Sequence, residues 1–92
     1  MHAKDRYPAL FEFLAAWFAE ADFERRDDAA LIAAYRSVPD LQARAAVLRE
    51  GRAFLAGRKP PWRAAALAAN RRFGSAQHFA AWLKGLLDAI ER

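Results

Sequence analysis

The segment Phe79-Ala80-Ala81-Trp82-Leu83-Lys84-Gly85-Leu86-Leu87-Asp88-Ala89-Ile90 decides the fold class. Phe79, Trp82, Leu83, Leu86 and Ile90 recur at the three- and four-residue spacing of a helix and form one apolar stripe. Gln77, Lys84, Asp88 and Glu91 fall on the opposite face. Ser75 stands where an N-cap belongs, and Gly74 before it can provide a left-handed C-cap for the preceding helix. The predicted helix covers 76–90. The rest of the chain agrees with it. Alanine, the best helix former, supplies 24 of the 92 residues, threonine is absent, and Val38, Val47, Ile32 and Ile90 are the only β-branched residues. The fold class expected is all-α.

Working back towards the N-terminus, Trp62, Ala66, Ala69 and Phe73 predict a short helix over 62–72. Gly57-Arg58-Lys59-Pro60-Pro61 ahead of it reads as a linker. A longer helix is predicted over 39–56, with Leu41, Ala45, Leu48 and Leu55 on its inner face and Val47 and Phe54 beside them. Gly51 inside that helix costs about 1 kcal/mol relative to alanine, which points to close approach of a neighbouring helix. Leu31, Ala34, Tyr35 and Val38 mark a helix over 27–37, capped by Asp27 or Asp28. It ends at Ser37-Val38-Pro39-Asp40, because the residue before proline is pushed out of α geometry. The first helix is predicted over 8–21, opened by Pro8, with Leu10, Leu14, Trp17 and Ala21 in one stripe. Phe11, Phe13 and Phe18 widen its apolar face so far that it should be packed on more than one side. The expectation is a compact single-domain bundle of about five short helices over residues 1–92.

Composition removes most chemistry. Without cysteine there is no disulfide, no thiolate zinc site and no cysteine nucleophile. His2 and His78 are the only histidines, and the four glycines at 51, 57, 74 and 85 form no phosphate loop. Ser75 and His78 stand three apart at a helix start, which an ordinary N-terminal turn explains without a base–nucleophile pair. No enzyme, cofactor, metal or small-molecule substrate is expected. The longest apolar run, 9–19, is broken by Glu12 and is shorter than the ~20 residues of a membrane span. No signal-cleavage pattern ends it, so a cytoplasmic protein with no membrane partner is expected.

The net charge is +4, unevenly placed. Residues 1–28 carry seven acids against four bases; residues 29–92 carry four acids against eleven bases. Between 44 and 72 there are eight bases and a single acid, Glu50. Glu20, Asp22, Glu24, Asp27 and Asp28 lack the glycine turn and terminal glutamate of a calcium loop and read instead as a docking patch that also caps a helix. They are the first candidate for a partner-binding site. Arg58, Lys59, Arg63, Arg71 and Arg72 are the second. A pI near 10.1 is the footprint of many nucleic-acid binders, so a small basic nucleic-acid-binding or regulatory helical protein is the alternative function. A third possibility, an adaptor whose first helix docks on a partner, requires Phe11, Phe13 or Phe18 to be exposed.

Tyr7-Pro8-Ala9-Leu10-Phe11-Glu12-Phe13-Leu14, followed by Trp17-Phe18-Ala19-Glu20-Ala21-Asp22-Phe23, resembles the small helical immunity proteins of bacterial contact-dependent growth inhibition systems. Those proteins open with an aromatic-Pro-x-Leu-x-x-Phe-Leu pattern, continue into an aromatic pair and an acidic turn, and carry a late Trp-Leu matched here by Trp82-Leu83. The His-Gln of the family's second motif is not kept. The resemblance implies a non-catalytic protein that binds the C-terminal toxin domain, often a nuclease, of its own system's large exoprotein. The implied complex is 1:1 and blocks the active site or access to it. Motif residues such as Tyr7, Leu14 and Trp17 are expected to serve the fold, and the acidic group beside the motif is the first expectation for the docking face.

Overall fold

Proline and aspartate set most of the boundaries. The computed structural model describes residues 2–19 and 27–92, and within these the chain forms six helices: α1 (Ala3–Arg6), α2 (Pro8–Trp17), α3 (Asp28–Ser37), α4 (Leu41–Ala56), α5 (Trp62–Ala68) and α6 (Ala76–Glu91). Pro8 takes the first helical position of α2, where a missing N–H costs nothing. Asp27, Asp40 and Ser75 cap α3, α4 and α6 by accepting from Ala30, Ala43 and His78 N–H groups. Gly57–Pro61 is non-helical, as its composition predicts.

The core is one cluster. α4 packs between α2 and α6, α5 closes over α2 and α6, and α3 lies along α6. Leu10, Leu14, Phe18, Phe54, Phe79, Leu83 and Leu87 are its fully buried large side chains. The Cα radius of gyration, 12.3 Å, matches the ~12 Å of one compact domain of this length. The stripe predicted for α6 is the buried one, with Leu87 added and Trp82 at its half-buried edge. Phe11, Phe13 and Phe18 are buried, which removes the adaptor reading that needed one of them exposed. Trp17 is half-buried, its ring edge-on to Tyr35 at 5.3 Å.

The helix expected over 8–21 ends at Trp17, Ala21 lying outside the described residues, and three further expectations change. First, α4 centres on Val47, Gly51 and Phe54, which are buried; Leu48 and Leu55 pack half-buried at the edge of the core, while Ala45 and Leu41 (73% exposed) face away from it. Phe54 inserts between Tyr7 (5.2 Å) and Phe79 (5.8 Å), and one buried phenyl ring removes ~150–250 Å² from water. Gly51 faces Leu87 so closely that a Cβ there would lie 2.6 Å from a Leu87 methyl. These two contacts set the rotation of the helix. Second, α3 buries Ile32 while Val38 is exposed. Third, α5 stops at Ala68, short of Arg72. Asn70 adopts the left-handed conformation (φ 55°), so the cap falls there and not at Gly74, whose φ is not positive. Its N–H donates to Leu67 O (3.0 Å) and the Arg71 N–H to Ala66 O (2.9 Å), the paired bonds of a Schellman motif.

Candidate functional site

The acidic candidates come first along the chain. Glu20, Asp22 and Glu24 lie outside the described residues. Asp27 is exposed, and its carboxylate holds the Ala30 N–H at 2.8 Å. Asp28 has both oxygens occupied: Oδ1 accepts from Arg71 Nη2 (3.0 Å) and Oδ2 from the Trp82 indole N–H (2.8 Å). Arg71 also lies over the Phe18 ring (5.9 Å), which meets Trp82 edge-on at 5.4 Å. Asp28 therefore clasps the start of α3 to the turn after α5 and to α6. The Arg71 Nε in this clasp is buried with no hydrogen-bond partner among the described residues.

The other acids of α4 and α6 are also engaged. Glu50, the lone acid of the basic stretch, reaches across to α2 and accepts from the Leu10 N–H at 3.1 Å. Tyr7, at the N-cap of α2, offers no side-chain cap, so a glutamate forty positions away does this work. Asp88 accepts from Arg52 (2.9 Å) and Lys84 (3.0 Å), and Glu91 accepts from the same Arg52 (2.9 Å), tying α4 to α6. The hydrogen bonds from Arg52 and Lys84 hold the Asp88 carboxyl below its ordinary value, and the bond to Asp88 raises the Arg52 guanidinium. Arg44 donates to the Arg36 and Val38 carbonyls (2.7 and 3.0 Å) and closes the end of α3.

Arg71 thus leaves the basic candidate set for a structural place. The other four stay at the surface: Arg58 and Lys59 in the α4–α5 loop, Arg63 in the first turn of α5, and Arg72 in the α5–α6 connection. The aromatic core brings these segments together. Trp62 lies 6.5 Å from Phe79, Phe73 lies 5.2 Å from it, and Phe54 lies 5.8 Å from it. The loop, the start of α5 and the start of α6 therefore meet at one end of the bundle, around Phe79. From Gly51 through Leu87 there is no aspartate or glutamate. The N-terminus of α6 adds its own partial positive charge there. The acid-free stretch was visible in the sequence; its gathering around one phenylalanine was not.

Two of the surface clefts border α3. One, about 330 Å³, runs between α3 and α6 along Ala29, Ile32, Ala33 and Gly85. Its charged edges are Asp28, already engaged; Arg36, which donates to the Arg92 carbonyl at 2.7 Å; and Arg92 itself. The other, about 180 Å³, is lined by Phe13, Trp17, Tyr35 and Glu12 between α2, α3 and α4. Burial raises the Tyr35 phenol above its ordinary value. Comparison of the chain with family models, curated proteins and solved structures finds no match.

Proposed function

We propose that the chain is an immunity protein. It binds and neutralises the C-terminal toxin domain of a contact-dependent growth inhibition effector, without catalysis, by covering the active site or blocking access to it. The observation that carries this reading is the motif at 7–18 together with its burial. Tyr7, Leu10, Phe11, Phe13, Leu14 and Phe18 all lie in the core. The residues that resemble the family thus build the scaffold, and the exposed charged side chains are left for partner choice. Complementary charge of this kind speeds encounter and enforces specificity. On this reading the protein works in the cytoplasm, where a delivered toxin acts.

The test is co-expression with the C-terminal domain of a large exoprotein encoded beside this chain. Relief of toxicity and a 1:1 complex on purification are the expected results; toxicity that persists in the presence of folded protein refutes the reading. The exposed cations also support a second reading, direct nucleic-acid binding. That reading predicts affinity that falls steeply with salt in the absence of any toxin.

A further inference from the structure

We infer that the basic end of the bundle, Arg58, Lys59, Arg63 and Arg72 around the Trp62–Phe73–Phe79 cluster, is the face that docks on the toxin domain, and that it meets a carboxylate-rich protein surface. This rests on the neutralising role proposed above and names the partner's chemistry at that site. The sequence alone favours the acidic group. Asp28, however, is closed off by Arg71 and Trp82, and Asp27 is engaged by its own helix.

The four cations are in the opposite position. All are exposed, and none has an acidic partner among the described residues. Three of the four are arginines, whose planar forks pair bidentately with carboxylates. The segment that carries Arg58 and Lys59 ends in Pro60-Pro61, and the Trp62 N–H closes on Pro60 O at 2.7 Å. Proline fixes the backbone there in advance, which lowers the ordering cost of association.

Phosphates would also suit these arginines, but the neighbouring rings favour a protein. Base stacking needs open aromatic faces. The Trp62 ring is covered by the Arg63 guanidinium at 5.2 Å, and Phe73 is enclosed by His78 (5.2 Å), Phe79 (5.2 Å) and Trp82 (5.1 Å). A half-buried tryptophan with an arginine over its face is a pairing enriched at protein interfaces.

The test is the fourfold reversal R58E/K59E/R63E/R72E, titrated calorimetrically against the purified C-terminal domain of the adjacent exoprotein. Affinity should fall on the order of 100-fold or more, with helical circular dichroism unchanged. The loop pair R58E/K59E lies outside any helix and repeats the test should the fourfold variant misfold. Wild-type binding with undiminished affinity of both variants overturns the inference and leaves the neutralising role standing. A wild-type chain that does not bind the domain overturns both. A labelled single-stranded RNA of about 20 nucleotides is the third arm. Micromolar binding of this RNA that the reversal abolishes would assign the face to nucleic acid and overturn the inference.

Discussion

Asp28 and Arg63 each stand in the first turn of a helix and each lies against a tryptophan, yet they serve opposite ends. Asp28 carries the charge that the positive end of α3 favours, and its two oxygens are satisfied by Trp82 and Arg71. Arg63 carries the charge that the start of α5 disfavours, and it covers the face of Trp62 without an acidic partner among the described residues. The first arrangement stabilises the fold. The second ties no element to another. The same division runs through the molecule. Glu50, Arg52, Asp88 and Arg71 link elements distant in sequence, while Arg58, Lys59 and Arg72 link nothing within the described fold.

Substitutions separate the charges that hold the fold from those that do not. Phe18 is the apolar floor beneath Arg71 and Trp82, so Phe18→Ala should cost about 3–5 kcal/mol in a denaturant titration. A cost below that of a surface substitution would mean the clasp does not rest on the core. Asp28→Ala leaves the Trp82 indole and Arg71 without their acceptor and should cost about 1–3 kcal/mol. It should leave affinity for the proposed toxin partner unchanged in the same preparation; lost affinity with full stability would make Asp28 a contact residue. Glu50→Gln should cost about 1 kcal/mol by weakening the cap on α2, seen as faster amide exchange at Leu10.

Arg63→Glu should shift stability by no more than about 1 kcal/mol, because the acid gained at the start of α5 offsets the cation lost from the face of Trp62, while weakening binding of the proposed toxin domain. A loss well beyond that would make Arg63 part of the fold and not a free surface charge. The smallest effect is titration of Asp88. Its folded pKa is depressed, so the Arg52–Asp88 link contributes above the unfolded value of ~3.9 and is lost as pH falls through the folded value. Carboxyl carbon shifts should place the Asp88 midpoint below that of an ordinary aspartate. A midpoint at or above it would show that the bridge does not persist in solution.

Much of the scaffold was legible because its signals are local. Pro8 at N1, the caps Asp27 and Ser75, the break at Val38-Pro39 and the linker at 57–61 each depend on residues within a few positions. The stripe of α6 was legible because its apolar residues form a single unambiguous face. The orientation of α4 was not, because leucine and alanine lie on one side and Val47, Gly51 and Phe54 on another, and only Tyr7, Phe79 and Leu87 decide between them. The Schellman turn at Asn70 was masked by Gly74, the more permissive residue four positions on. Of the candidate site residues, Arg71 could not be told from Arg72 in the sequence; Asp28, on another helix, separates them.

Propensity, capping and net charge act over short spans or none, and so the all-α class, most helix boundaries and the asymmetry of charge follow from the amino-acid order alone. Which charges are used up depends on packing. Glu50 at Leu10, Asp88 at Arg52 and Asp28 at Arg71 and Trp82 are partners across 36 to 54 positions, made by helices packing side by side. Those pairings, absent from any local window, leave Arg58, Lys59, Arg63 and Arg72 to face outward.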